Sequence, residues 1–176
     1  MRPSTDVSEP LSPAPDTSIR PALPSDAARL REVSLAADTL FATAGIELPP
    51  DDPGETLVTA GRVFVAGRPA AGFAVVTELD GQAHLAQLAV HPDLGRRGTG
   101  SALVEAVCAD ARERGLAAVT LTTFRDVAWN APWYARRGFE ELPESRWGPQ
   151  LRAQWRVEEA AGIVVAPRIA MRRPLV

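Results

Sequence analysis

Several common chemistries have little to work with in this chain. Cys108 is its only cysteine, so no intrachain disulfide can form, and it reads as a small buried residue in a helix rather than a nucleophile. His84 and His91 are the only histidines, and with Cys108 they make no zinc spacing, so no metal is expected and a metal hydrolase lacks its ligands. Tyr134 is the only tyrosine. No apolar run is long enough to span a membrane, and the opening MRPSTDVSEP lacks the apolar stretch of a secretion signal, so the expected location is the cytoplasm. A net charge of −3 gives no basic field for nonspecific nucleic-acid binding. The one glycine-rich turn lacks the Lys-Ser/Thr pair of a Walker loop. It also lacks a dinucleotide fingerprint: Leu103 stands where the third glycine belongs, and Thr120 where the carboxylate about 20 residues on is needed.

What is present is ordinary for one soluble domain: 176 residues, 45% hydrophobic and 23% charged. Residues 1–17, rich in Pro, Ser and Asp, bury too little apolar surface to fold and are expected to be disordered; the domain is expected to span 18–176. Ile19 and Arg20 end a short strand. Pro24-Ser25-Asp26 opens a helical segment, with Ser25 or Asp26 as N-cap and a break into two helices expected near Ala36. Residues 47–55, with three prolines, read as a loop. Strands over 62–66 and 70–79 and a third ending near His91 are joined by Gly67-Arg68-Pro69 and by the hairpin signal Asp80-Gly81, so they are antiparallel neighbours. A helix closed by Gly115 and a strand over 117–122 follow, and a strand–helix–strand unit favours a parallel pair. A strand over 139–142, an amphipathic helix over 147–161 closed by Gly162, and a strand over 168–173 with Ile169 and Met171 on one face complete a mixed α+β fold. The late helix reads either as a plain surface helix or as a lid.

Residues 85–103, LAQLAVHPDLGRRGTGSAL, organise the rest. Leu85, Leu88, Ala89 and Val90 form the strand, and Pro92 stops it. Gly95, Arg96, Arg97, Gly98, Thr99 and Gly100 form the turn, and Ala102, Leu103, Ala106, Val107 and Ala111 are the apolar positions of the helix. The first N–H groups of a helix have no internal partner and sit at its positive end, which suits an anion. Glycines let a phosphate approach the backbone, and two arginines stand beside it. The expectation is a pyrophosphate site. The second informative block, residues 120–139, reads TLTTFRDVAWNAPWYARRGF and places Asn130 at the start of a short helix, as an N-cap on the residue pattern alone.

These blocks resemble the GNAT acyltransferase superfamily from Val90 to Phe139. The family loop runs Gln or Arg, two residues, Gly, one residue, Gly or Ala; here Gly98 and Gly100 match and Gly95 replaces the leading residue. Asn130, Trp133-Tyr134 and Gly138-Phe139 resemble the second family pattern. The resemblance implies a mixed, mostly antiparallel sheet with splayed central strands flanked by helices, and acetyl-CoA as co-substrate. It implies that Leu88, Ala89, Val90, Gly95, Arg96, Arg97, Gly98, Thr99, Gly100, Ser101, Asn130 and Trp133 hold the cofactor. The Leu88 backbone N–H would polarise the thioester carbonyl and Tyr134 would protonate the leaving thiolate, unless it is a core aromatic. Relatives often carry a carboxylate base where Ala86 stands. Glu78, His84, Asp38 or a water chain are the remaining candidates for that task. The implied function is acetyl transfer from acetyl-CoA to a primary amine of a small molecule or peptide; the alternative is an acyl-CoA-binding sensor or scaffold without catalysis. The expected partners are acetyl-CoA and that amine, with a homodimer allowed and neither nucleic acid nor membrane.

Overall fold

A computed structural model describes residue 16, residues 18–50, residue 57 and residues 61–175. The expected disordered tail and most of the Pro-rich loop after residue 50 lie outside the described residues. Strand β1 is Ile19–Pro21, β2 Arg62–Ala66, β3 Gly72–Leu79, β4 Gln82–Val90, β5 Ala118–Phe124, β6 Glu140–Glu141 and β7 Arg168–Pro174. Helices are α1 Ala27–Thr43, α2 Thr99–Glu113, α3 Ala131–Ala135 and α4 Pro149–Ala160. The seven strands lie in the order β1-β2-β3-β4-β5-β7-β6. Every pairing is antiparallel except β4 with β5.

The expected break in the first helix does not occur: α1 is continuous. Nothing in it is a glycine or proline, and Ala36-Ala37 favours helix. The doubled apolar pattern arises because Leu35 and Leu40 are exposed, while Leu30 and Val33 are buried. Asp26 does not cap α1 through its side chain. Its carboxylate accepts the Leu23 N–H (2.8 Å) and pairs with Arg20 (2.7 Å), tying the helix start to β1. That pair and the Leu23 bond hold the carboxyl down at about 2.

Two apolar layers clamp the sheet. On one face Leu103, Val104, Val107, Cys108 and Ala111 of α2 are fully buried against β3, β4 and β5. A buried Leu or Val is worth about 1.5–3 kcal/mol, so this stripe anchors the helix and with it the turn before it. Burial raises the Cys108 thiol pKa, which suits a packing residue. On the other face Leu30 and Val33 of α1 pack on Val65, Phe73, Val75 and Ala89.

Helix α4 is fixed from the far end of the sheet. The Asp80 carboxylate, in the β3–β4 turn, accepts the N–H groups of Gln150 (3.0 Å) and Leu151 (2.9 Å). Gly148 is required there, because a side chain would run into that carboxylate. Leu151 is buried with Leu142 and Ala170, and Gly162, at φ +76°, closes the helix. The helix is thus docked along β5 and β7.

Candidate functional site

The parallel pairing of β4 and β5 is short: Ala83 faces Val119 and His84 faces Thr120, and the ladder stops. Residue 85 and residues 87–90 stay paired with β3, and residues 121–124 stay paired with β7, so the two central strands part. A bulge helps to turn β4. Leu85 faces Val76 and Gln87 faces Val75, which leaves Ala86 as the extra residue, exposed in the middle of the sheet.

The parting frees backbone donors. The His91 N–H donates to the Ala71 carbonyl (2.8 Å) on the β3 side. Antiparallel ladders alternate, so Ala89 also faces β3, whereas the N–H groups of Leu88 and Val90 face the gap. The residue singled out as a carbonyl donor therefore carries its N–H where β5 has withdrawn.

The glycine turn closes the same end of the gap. Arg96 (φ +59°) and Gly98 (φ +82°) are left-handed, and Gly98 leads directly into α2. The Arg96 and Arg97 side chains are exposed and form no ion pair among the described residues. A side chain on Gly100 would touch the Trp133 ring at 3.3 Å. Trp133 is itself covered by the Arg137 guanidinium, 3.5 Å from the ring centroid. Arg137 donates to the Ser101 hydroxyl from Nε (3.0 Å) and Nη2 (2.7 Å) and to the Trp133 carbonyl (2.9 Å). Arg137 is a residue that sequence reasoning missed; its spacing of four from Trp133, just past the end of a short helix, was the available signal. Bare backbone N–H groups, left-handed turn residues and unpaired cations form a cradle that fits a pyrophosphate, and the gap fits an extended arm.

Tyr134 lies beside this gap, buried between the rings of Trp133 (5.0 Å) and Phe139 (5.5 Å). Burial raises its phenol pKa above the ordinary 10.0, and the Arg137 charge opposes that rise. The group is therefore a protonated phenol throughout the neutral range. Asn130 does not act as a side-chain cap; its side-chain oxygen Oδ1 accepts the Thr123 hydroxyl (2.6 Å) from β5.

The candidates for the base are spread out. Glu78 binds Arg114 (2.6 Å) at the end of α2 opposite the glycine turn. His84 is buried in the sheet, its Nδ1 2.9 Å from the Thr120 hydroxyl, and burial pushes its pKa down to about 4. Asp38 is half-buried on α1, one turn after Ser34, whose hydroxyl accepts from Gln87 of β4 (2.8 Å). Opposite α2, a cavity of about 310 Å³ is lined by Ile46, Phe124, Val127, Trp129 and Val165. None of these five was named as a site residue, because they come from the end of β5 and from three separate loops.

The acetyltransferase (GNAT) domain family matches residues 59–141. The fold is shared with an acetyltransferase of the GNAT family from Staphylococcus aureus Mu50 at TM-score 0.69 and 16% identity, covering 90% of this chain and 99% of that one. It is shared with the ribosomal-protein-S18-alanine N-acetyltransferase from Escherichia coli at TM-score 0.65 and 20% identity, over 90% and 94% of the two chains. N-acetylglutamate synthase from Neisseria gonorrhoeae, crystallised with coenzyme A and N-acetyl-glutamate, matches at TM-score 0.68 and 20% identity over 91% of this chain, which spans only 35% of that protein. Among the described residues no helix is long and apolar enough to cross a membrane.

Proposed function

We propose that this chain, a GNAT-fold protein carrying a GNAT acetyltransferase domain, is an acyl-CoA-dependent N-acetyltransferase that passes the acetyl group of acetyl-CoA directly to a primary amine of a small molecule or peptide. The observation that carries this reading is the parting of β4 and β5 beyond His84 and Thr120, with the Leu88 N–H facing the gap. In this reading the N–H groups at the start of α2, with Arg96 and Arg97, take the pyrophosphate, and Leu88, Ala89 and Val90 line the arm. Asn130 and Trp133 border the other side of the arm.

Acetyl transfer needs charge stabilised on the carbonyl oxygen and a proton delivered to the leaving sulfur. The Leu88 N–H is held by the β3–β4 ladder and needs no reorganisation to donate to that oxygen. Tyr134 keeps its proton at neutral pH and can give it to the thiolate, with solvent restoring it. The cavity beside Phe124, lined by apolar and aromatic residues together with Asp126, would receive the body of the amine. A cytoplasmic location accompanies this reading.

The test is thiol release from acetyl-CoA with a panel of primary amines, read alongside a thermal shift with CoA. Ligand at about 100 times its Kd adds about 2.7 kcal/mol. Stabilisation with turnover supports the enzyme. Stabilisation without turnover favours the sensor reading, which the alanine at position 86 motivates. Neither effect at millimolar CoA refutes both.

A further inference from the structure

We propose that Glu158 is the group that takes the proton of the acceptor amine, brought by α4 to the level of the sheet where β4 offers only Ala86; this rests on the acetyl-transfer reading above. The register places it. His84 lies opposite Thr120, so two residues further along the parted strands Thr122 of β5 stands level with Ala86 of β4. Thr120 and Thr122 point to the same face as His84, away from α2, since the intervening Val119 and Leu121 pack against α2. On that face the Thr122 hydroxyl donates to Glu158 Oε1 (2.7 Å). The charge of Glu158 also acts on His84, which puts the carboxylate within electrostatic reach of β4 as well as β5.

This carboxylate is unusual in its setting. Its side chain retains 9% exposure, on the same face as the open Ala86. Arg168 Nη2 of β7 donates to Glu158 Oε2 (3.1 Å) and to the Thr122 hydroxyl (3.2 Å). Arg168 is equally buried, its Nε has no partner, and its guanidinium lies over the Phe124 ring that lines the cavity. Gln154 of α4 reaches Oε1 at 3.4 Å. Arg168 from β7 and His84 from β4 face Glu158, Arg172 lies further along the same face of β7 and donates to Gln82, and burial keeps His84 neutral at pH 7. A structural salt bridge needs no neighbouring open gap; this one is bound to Thr122 on the parted strand β5, and its Arg168 lies over the Phe124 ring that lines the cavity.

The step balances. The acceptor ammonium gives one proton to the Glu158 carboxylate, which releases it to solvent. The freed lone pair forms the C–N bond, and collapse of the adduct breaks the C–S bond. The second proton leaves nitrogen for solvent, the thiolate takes one from Tyr134, and solvent re-protonates Tyr134, so the net release is one proton.

The experiment uses the full chain, acetyl-CoA and three probe amines, phenethylamine, spermidine and L-lysine amide, with thiol release followed from about pH 6 to beyond the ordinary amine pKa of about 10.4. Glu158→Gln should lower kcat/KM by about 10²-fold at neutral pH. The deficit should shrink above the amine pKa, where the free amine needs no proton acceptor. Glu158→Asp should recover part of the activity, and the CoA-induced thermal shift should match the parent. If Glu158→Gln does not fold because Arg168 loses its counter-charge, the double variant Glu158→Gln, Arg168→Gln removes both charges and is read in the same way. A deficit equal at every pH would mean a structural role and overturn the proposal. The pH-dependent deficit in Asp38→Asn, with none in Glu158→Gln, would also overturn it. No thiol release by the parent with any probe would remove the acetyl-transfer reading and this one together.

Discussion

The two faces of the central sheet do different kinds of work. On the α2 face the functional groups are backbone: the N–H groups at the start of α2, the left-handed Gly98, and the Leu88 N–H at the gap. Apolar side chains there serve to hold that backbone in place. On the opposite face the functional groups are side chains in a buried polar row, His84, Thr120, Thr122, Glu158 and Arg168, bound mainly to one another. Under the acetyl-transfer proposal, the first arrangement takes a ligand part common to every acyl-CoA, and the second faces the amine that differs between enzymes. Recognition of a constant group can be built into main chain, whose geometry is repeatable, whereas recognition of a variable one needs side chains that can be exchanged.

The largest expected effect breaks the backbone side. Gly98→Val meets no steric neighbour, yet it forces a branched residue to φ +82°. Gly100→Val instead pushes into Trp133. Each should cost the charge-assisted contacts of the turn, about 1.5–3 kcal/mol per hydrogen bond, and so erase most CoA binding while the fold survives. Calorimetric titration with CoA checks this, and parent-like affinity in both variants would show that the phosphate lies elsewhere.

Next in size is the acid response of the side-chain row. The folded His84 pKa is about 4 against an ordinary 6.5. The unfolded chain therefore takes up a proton below pH 6.5 that the folded chain refuses. Stability from this group is complete above pH 6.5 and is lost progressively towards pH 4, by about 3 kcal/mol in all. Urea unfolding across that window should show the slope, and His84→Gln should flatten it. An unchanged slope would mean that the imidazole is not sealed in the sheet.

Tyr134 stands at the seam between the two systems. Tyr134→Phe keeps both ring contacts and should lower kcat by about 10²-fold with CoA affinity unchanged. Because burial raises the phenol pKa, the parent should show no basic limb from this group below the ordinary 10.0. Equal kcat in the variant would leave the hydroxyl a structural group. The smallest effect belongs to Glu78, outside both systems. Its exposed pair with Arg114 is worth at most about 1 kcal/mol, so Glu78→Gln should change stability slightly and leave the pH–rate profile alone.

How much of this was legible follows the same division. The glycine turn, both hairpins and the start of α2 were readable because each is set by residues within a few positions of one another: Asp80-Gly81, Gly98-Thr99-Gly100, Gly115. The expected break in α1 does not occur: exposed Leu35 and Leu40 carry the same letter as buried ones, and only packing tells them apart. Arg137 escaped notice because its value lies in what it covers, the Trp133 ring and the Ser101 hydroxyl of another helix.

By itself, the sequence determined most of the elements and the glycine turn that leads into α2, since backbone conformation and helical or strand periodicity are local properties of the chain. Only the tertiary structure decided where β4 and β5 part, that Ala86 opens onto the face opposite α2, and that Glu158 lies level with it. Those facts depend on contacts such as His84 with Thr120 and Thr122 with Glu158, each 36 residues apart. They depend also on Asp80 pinning the start of α4 from 70 residues away. No local pattern encodes such pairs, because a carboxylate on a helix looks the same in sequence whether its helix turns it to solvent or lays it across a sheet.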